Sequence, residues 1–299
     1  MNFLSILPSL LLGALAIVMF GLGLSLAVDD FRRLREHPKA VVLALVLQVV
    51  LLPGTAYLLI VATGMEPIFA VGLMLLAASP GGVSANLFSH LFGGNVALNI
   101  SLTAINTVLS IISLPLIANW AIAAFVQSGQ VVPLQFGKIV EVMGIVLLPV
   151  GLGMLVRAKS PAWGQRLDQP MKIFSAVVLA AFSGIAIAKE WQALSTSFAS
   201  IGPVVLAFNV ISLLAGYYLS RFIGLNQSMA TAISFEIGIH NSSLAIFVAL
   251  SVLGNFQLAL PAAVYSVSMY LTATLFGFLV LRRSAHASAG ETEPARFNP

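Results

Sequence analysis

The sequence has no cysteine and very few charged residues. Of its 299 residues only 8% are Asp, Glu, Lys or Arg, whereas 59% are hydrophobic. The lack of cysteine excludes a disulfide framework and a thiolate metal site. A soluble domain of this length does not need so much apolar surface, so the composition predicts an all-α polytopic membrane protein in a lipid bilayer. The net charge of +4 fits basic loops beside that bilayer better than a nucleic-acid partner.

Long apolar segments fill most of the chain, and each is long enough to cross a hydrocarbon core of about 30 Å as a helix. They predict nine transmembrane helices at residues 8–28, 40–62, 67–91, 95–126, 136–156, 171–188, 200–220, 228–253 and 258–281. The segment 95–126 is longer than a span requires, so we expect it to tilt or to project from the bilayer. Residues 1–8 carry no basic charge, which favours a retained first span over a cleaved signal peptide.

The basic residues predict the orientation of these spans. With nine spans, twelve of the 14 lysines and arginines lie on one side, and only Lys138 and Lys189 lie on the other. Because basic loops stay in the cytoplasm, the N-terminus is predicted outside and the C-terminus inside the cell, in the inner (plasma) membrane. Residues 284–299 are small, polar and charged, so a disordered cytoplasmic tail is expected there.

Two of the predicted spans carry matching polar interruptions. The third contains Ser-Pro-Gly-Gly-Val-Ser-Ala-Asn at residues 79–86, and the eighth contains Glu-Ile-Gly-Ile-His-Asn-Ser at residues 236–242. Proline removes a backbone donor and glycine loosens a helix. If the two halves of the chain are inverted repeats, the two discontinuous helices cross near the midplane and form a site there.

Other interpretations of single residues remain open. The Pro80-Gly81-Gly82 sequence can be an ordinary kink, Asn86 can join neighbouring helices, and His240 can be a packed histidine. Glu236 is harder to explain in that way, because an acid deep within a span costs roughly 2.5–3.5 kcal/mol and is a functional candidate by default. An intramembrane enzyme is not expected, because the sequence has neither a nucleophile motif nor a metal-binding spacing such as His-Glu-x-x-His.

In these motifs the chain resembles the bile acid:sodium symporter family, and the resemblance extends from Gly13 to about Arg283. It is carried, in this order, by residues 19–24 (Met-Phe-Gly-Leu-Gly-Leu), Asp30-Phe31, His37-Pro38-Lys39, Pro80-Gly81-Gly82, residues 94–98 (Gly-Asn-Val-Ala-Leu), Glu236, Gly238, Asn241 and Ser242. The resemblance implies a single transporter unit over residues 1–283. In it, a core (about 40–126 and 200–281) would hold the crossing helices, and a panel (about 8–28 and 136–188) would pack beside it.

The resemblance also implies sodium sites and a substrate site. One sodium ion would bind Asn86, Asn99, Thr103 and Glu236; a second would bind Gln48, Glu236, His240 and the carbonyls of Ile237 and Ile239. Residues at the family's substrate-binding positions are Val83, Ser84, Asn241, Met269 and Tyr270. Some positions differ from the family pattern: Ala85 replaces a serine, His240 a glutamine, Val83 a threonine and Met269-Tyr270 a His-Asn pair. One or two sodium ions are therefore expected.

The resulting hypothesis is a sodium-coupled symporter of an organic anion that works by alternating access. The anion would be bile-acid-like or a small carboxylate such as pantoate or a keto acid. The alternative is a proton-coupled or uncoupled carrier that uses Glu236 and His240. The sequence is silent on oligomeric state.

Overall fold

The computed structural model of the chain describes residues 3–126 and 136–281. Within these ranges the backbone is helical, and its one β-type contact is an isolated antiparallel bridge between Gly81 and His240. The all-α prediction is confirmed. The predicted disordered tail, residues 284–299, lies outside the described residues.

Thirteen α-helices make up the described ranges. They are α1 (Phe3–Ser25), α2 (Val28–Arg33), α3 (Pro38–Val46), α4 (Leu52–Thr63), α5 (Pro67–Ala78), α6 (Val83–Leu91), α7 (Val96–Phe125), α8 (Phe136–Lys159), α9 (Pro161–Lys189), α10 (Trp191–Phe222), α11 (Gln227–Gly238), α12 (Ser242–Phe247) and α13 (Leu260–Phe276). Short π-helical turns join α3 to α4 at Leu47–Leu51 and extend α12 at Val248–Val252 and α13 at Gly277–Leu281.

Four helical segments of the described chain are long and apolar enough to cross a membrane. They are Pro38–Thr63, Val96–Phe125, Phe198–Phe222 and Gln257–Leu279, and a fifth results if Leu12–Ser25 and Val28–Glu36, bent by 64°, are one span. The protein is thus a multi-pass membrane protein with four or five such spans by length and composition. The nine-span count stays a prediction.

The two predicted interruptions are real breaks in helices. In the first, α5 ends at Ala78 and α6 begins at Val83, with Gly82 extended at φ −84° and ψ 157°. In the second, α11 ends at Gly238 and α12 begins at Ser242. A helix of 12 residues, such as α5 or α11, reaches only about 18 Å, so neither crosses a hydrocarbon core without the helix that follows it.

The apolar surface is turned outwards. Leu58, Leu148 and Leu271 are 67%, 70% and 66% exposed, whereas Glu236 and Asn99 are fully buried. A soluble protein shows the opposite distribution. Lipid contact explains the exposed leucines, and the buried polar groups locate the functional interior.

Helices α1, α8 and α9 pack against one another. The contact between α1 and α8 is so close that a Cβ atom on Gly23 would lie 2.1 Å from the carbonyl oxygen of Val150. The Nη1 of Arg157 donates a hydrogen bond of 3.0 Å to the carbonyl of Leu24 near the end of α1. Other helix contacts join α5 to α7, α10 to α11 and α13, α9 to α13, and α6 to α11.

Candidate functional site

The site is built where the two helix breaks cross. The backbone N–H of Gly82 donates to the carbonyl of Ile239 at 2.7 Å, and the N–H of Asn241 donates to the carbonyl of Pro80 at 2.8 Å. These bonds satisfy backbone groups that the breaks remove from the helices, which membrane-embedded backbone requires. They hold the ends of four half-helices together, as expected from the matching interruptions.

Glu236 lies at this crossing, two residues before the end of α11. Its side chain is completely buried, and a Cβ atom on Gly81 would lie 2.4 Å from its Oε1 atom. Any residue larger than glycine at position 81 would therefore collide with the carboxylate. The glycine of the first break and the acid of the second break are fitted to each other.

Two donors from α7 hold the Glu236 carboxylate. The Oγ1 of Thr103 donates to Oε2 at 2.6 Å, and the Nδ2 of Asn106 donates to Oε1 at 2.9 Å. The backbone N–H of Gly81 also lies close to the carboxylate. A carboxylate has about four lone-pair positions, so at least one remains. The ion pairs of the described chain lie elsewhere, at Asp29–Arg32 and Asp30–Arg33, and no cationic side chain in this part of the protein pairs with Glu236.

Several side-chain amide oxygens are buried and accept no hydrogen bond. Among the described residues these are Gln48 Oε1, Asn86 Oδ1, Asn99 Oδ1 and Asn106 Oδ1. The nitrogens of three of these amides are engaged: Asn106 Nδ2 donates to Glu236, Asn99 Nδ2 donates to the carbonyl of Ala232 at 2.7 Å, and Gln48 Nε2 donates to the carbonyl of Ser79 at 2.9 Å. Buried amide oxygens without donors are costly, and oxygen is the ligand atom that hard cations prefer.

The four residues predicted for the first sodium ion lie on three helices, α6, α7 and α11. Thr103 contacts Glu236 directly, and its hydroxyl also lies 3.1 Å from the carbonyl oxygen of Asn99, one turn earlier on α7. Asn86 lies on α6, directly after the first break. Asn106, which was not among the residues predicted for the site, is the second donor to Glu236.

Most of the residues predicted for a second sodium ion form hydrogen bonds with other parts of the protein. The carbonyl of Ile239 accepts the N–H of Gly82. His240 is 1% exposed, and its Nδ1 lies 2.8 Å from the hydroxyl of Tyr265, whereas its Nε2 has no partner in the described chain. The amide nitrogen of Gln48 donates to the carbonyl of Ala77, near the end of α5, and to that of Ser79 in the first break.

A hydrogen-bond network beside the second break was not expected from the sequence. The Nδ2 of Asn209 lies 2.7 Å from both the carbonyl of Gly238 and the hydroxyl of Tyr265. The same hydroxyl donates to the carbonyl of Gly238 at 2.8 Å, and Thr272 donates to Asn209 Oδ1. Tyr265 was overlooked, although a tyrosine in an apolar span is a signal because its buried hydroxyl needs a partner.

The residues predicted to bind substrate form two separate contacts. The hydroxyls of Ser84 and Tyr270 lie 3.1 Å apart, and the Tyr270 ring stacks on Phe88 with a centroid distance of 6.0 Å. The Sδ of Met269 lies 4.0 Å from the hydroxyl of Ser242.

The two other predicted substrate residues lie at helix starts. The Oδ1 of Asn241 accepts the N–H of Leu244 at 3.1 Å and thereby caps α12. Val83 is the first residue of α6 and is partly buried.

Comparisons with known proteins show which family the chain is similar to. Residues 12–197, well over half of the chain, match the sequence model of the Sodium Bile acid symporter family. The chain is 28% identical over 278 residues to a probable chloroplastic sodium/metabolite cotransporter of Arabidopsis thaliana, covering 93% of this chain and 68% of that protein.

Relatives also occur in bacteria and mammals. The chain is 26% identical over 277 residues to a sodium-dependent transporter of Bacillus subtilis (92% of this chain, 84% of that protein). It is 27% identical over 301 residues to the human ileal sodium/bile acid cotransporter (95% and 83%). The chain spans about two thirds of the length of the plant relatives it matches.

Proposed function

The chain belongs to the Sodium Bile acid symporter family, and we propose that it is a symporter that couples the inward movement of sodium to that of an organic anion. The relatives named above are transporters and cotransporters, and they support a transport role over an enzymatic one. The proposed anion is bile-acid-like or a small carboxylate such as pantoate or a keto acid.

One observation carries the proposal: the carboxylate of Glu236 is fully buried at the crossing and accepts two hydrogen bonds, from Thr103 and Asn106. A buried carboxylate is costly unless it is paired, hydrogen-bonded or bound to a metal ion. Since the described chain offers it no cationic side chain, a cation from solution is the natural partner. The unpartnered oxygens of Asn86 and Asn99 supply the neutral ligands that such an ion takes in place of water.

The transported ion is proposed to be sodium, bound by Asn86, Asn99, Thr103 and Glu236. The hydroxyl of Thr103 donates a hydrogen bond to Glu236, so its oxygen lone pairs remain available to the ion. Sodium is a hard cation, and this set contains oxygen ligands and one charge of opposite sign.

The organic anion is proposed to bind beside the start of α6. The free N–H groups of a helix N-terminus favour a negative group, and the hydroxyls of Ser84 and Tyr270, which lie together there, offer hydrogen bonds to a carboxylate. Val83, Met269 and Asn241 would complete the binding region. The aromatic rings of Phe88 and Tyr270 suit the apolar part of an amphipathic substrate.

Alternating access is proposed to arise from movement between two groups of helices. The mutual packing of α1, α8 and α9 supports the panel, and the helices around the crossing would form the core. Nine spans in inverted repeats, with the N-terminus outside and the C-terminus in the cytoplasm, remain the proposed topology. With nine spans, twelve of the 14 basic residues lie on the cytoplasmic side, as the positive-inside rule expects.

Uptake into proteoliposomes tests this function. Radiolabelled taurocholate, pantoate and pyruvate are offered separately under an inward sodium gradient, under an equal potassium gradient and under an inward proton gradient. The proposal expects at least one anion to accumulate several-fold more with sodium than with potassium. Accumulation that follows the proton gradient and ignores sodium would instead support the alternative carrier that uses Glu236 and His240.

A further inference from the structure

Side chains of α10 and α13 stabilise the second helix break through hydrogen bonds. The partners of Glu236 come from α7, whereas those of Gly238 and His240 are Asn209 on α10 and Tyr265 on α13. The family resemblance implies a second sodium ion bound by Gln48, Glu236, residue 240 and the backbone carbonyls of Ile237 and Ile239. Whether these groups are free to bind an ion therefore decides how many ions the protein carries.

The carbonyl oxygens next to His240 already accept protein donors. The oxygen of Gly238 has two lone pairs and accepts both Asn209 Nδ2 at 2.7 Å and the Tyr265 hydroxyl at 2.8 Å. The oxygen of Ile239 accepts the N–H of Gly82 at 2.7 Å. Of these two oxygens, that of Ile239 belongs to the implied second site. An ion there would have to compete with the Gly82 hydrogen bond, in an environment where a broken hydrogen bond is expensive.

The positions of the protons in the network follow from its donors. Thr272 donates to Asn209 Oδ1, which fixes the amide so that its two N–H groups point to Gly238 and Tyr265. The Tyr265 hydroxyl gives its only proton to Gly238 and therefore accepts from Asn209 and from Nδ1 of His240. His240 then carries its proton on Nδ1, and its other ring nitrogen, Nε2, is a lone pair without a partner.

An imidazole nitrogen is a poor substitute for an oxygen at a sodium site, because hard cations prefer carbonyl, carboxylate and hydroxyl ligands. At position 240 the chain offers that nitrogen, and Tyr265 holds the ring in place at 2.8 Å. The donors from Asn209 and Tyr265 supply the positive ends of dipoles to the Gly238 carbonyl. They thereby stabilise the break between the two carbonyls, of Ile237 and Ile239, that an ion would otherwise bind.

We propose that the Asn209–Tyr265–His240 network replaces a second sodium ion, so that the protein binds a single sodium ion, at Glu236. This inference rests on the proposed function and makes it more specific. Tyr265 acts as a positioning residue, since its hydroxyl joins α13 to Gly238 and His240. Transport of one sodium ion with a singly charged anion moves no net charge, so the sodium gradient drives it and the membrane potential does not.

Equilibrium binding of ²²Na⁺ to the purified full chain in detergent tests the inference. The expected result is one bound ion per chain with a Hill coefficient of about 1, because the Hill coefficient cannot exceed the number of coupled sites. Two bound ions, or a Hill coefficient clearly above 1, would overturn the single-ion inference and leave sodium coupling intact. No bound sodium would overturn the proposed function together with the inference.

Substitutions in the network provide an independent test. The double variant Tyr265→Phe/His240→Gln removes the hydroxyl that holds residue 240 and restores an oxygen at that position, so it should bind a second ion. Tyr217→Phe is the matched control, since Tyr217 is also buried, at 3% exposure, and contacts Tyr218 and Phe276 rather than the crossing. That control should keep one ion.

A double variant that elutes as a single species and still binds one ion would contradict the claim that the network excludes the second. If the double variant does not fold, Tyr265→Phe alone replaces it. Its sodium dissociation constant should rise at least threefold relative to Tyr217→Phe, with the ion count unchanged. An unchanged sodium dissociation constant would show that Tyr265 only packs and would overturn its assigned role.

Discussion

At the scale of single residues, Thr103 has two roles: it donates a hydrogen bond to the Glu236 carboxylate, and it is a proposed ligand of the sodium ion. Its hydroxyl lies 2.6 Å from Glu236 Oε2 and so fixes the carboxylate, and a hydrogen bond to a charged group contributes about 1.5–3 kcal/mol. Because the proton points to the carboxylate, the oxygen lone pairs remain available to the sodium ion. Losing the hydroxyl should thus remove a ligand and also loosen the acid.

The variant Thr103→Val should raise the sodium dissociation constant about tenfold, which corresponds to about 1.4 kcal/mol. Thr107→Val is the matched control: Thr107 is 2% exposed on the same helix, and its hydroxyl donates only to the carbonyl of Thr103. Sodium titrations of thermal stability measure both. Equal shifts in the two variants, or tighter sodium binding by Thr103→Val, would show that the Thr103 hydroxyl is no ligand.

The sequence predicts part of this site because helix periodicity can be read from it. Asn99 and Thr103 are four residues apart and were expected on one helix face, and Glu236 was conspicuous as an acid within an apolar span. Asn106 lies three residues beyond Thr103, but spacing alone does not distinguish it from Thr107 as the donor to a carboxylate 130 residues away. The role of Tyr265 could not be predicted without the fold, because its hydrogen-bond partners lie on other helices, α10 and α11.

At the scale of elements, the two helix breaks form one unit. Gly82 and Ile239 are joined by one backbone hydrogen bond, and Pro80 and Asn241 by another. Proline, glycine and polar residues indicated both breaks from the sequence. Their antiparallel pairing at Gly81 and His240 could not be predicted, because it depends on how distant helices cross.

The variant Gly81→Ala should disturb both breaks at once. Its Cβ would lie 2.4 Å from Glu236 Oε1, and overpacking of this kind costs about 1–3 kcal/mol. We expect a lower melting temperature and a weaker response to sodium. Gly54→Ala is the control, because a Cβ at position 54 meets nothing within 4 Å; if both variants behave alike, the close fit of Gly81 to Glu236 is wrong.

The bend after α1 is a second feature that the sequence did not reveal. Residues 8–28 were expected to form one span, whereas the helix ends at Ser25 and the chain turns by 64° into α2. Asp30 stabilises this turn by accepting the N–H of Ala27 at 2.6 Å. Side-chain capping of this type competes with continuation of a helix, and sequence hydropathy does not register it.

At the scale of the whole molecule, polar groups lie inside and apolar groups outside. The sequence predicted this from its composition, and the buried Glu236 and Asn99 with the exposed Leu148 and Leu271 agree with it. The number of spans was harder to predict, because hydropathy cannot separate a continuous helix from two half-helices. The predicted segment 67–91, for example, is divided into α5 and α6, and its proline and glycines, not its hydropathy, indicated that break.

The proposed orientation can be tested with single cysteines, since the natural chain has none. Gln192 and Glu36 are both exposed, and the nine-span topology places residue 192 outside the cell and residue 36 in the cytoplasm. A membrane-impermeant maleimide should label Gln192→Cys in intact cells and Glu36→Cys only after permeabilisation. The reverse pattern would invert the topology, and labelling of both in intact cells would contradict the span count between them.

The central claim, that Glu236 binds the transported sodium ion, is tested most directly by thermal unfolding of the purified protein in sodium and in potassium. A ligand at 100 times its dissociation constant stabilises the folded state by about 2.7 kcal/mol, so the natural chain and the exposed-acid control Glu36→Gln should melt several degrees higher in sodium. Glu236→Gln should melt at the same temperature in both salts. Sodium stabilisation that persists in Glu236→Gln would contradict the account.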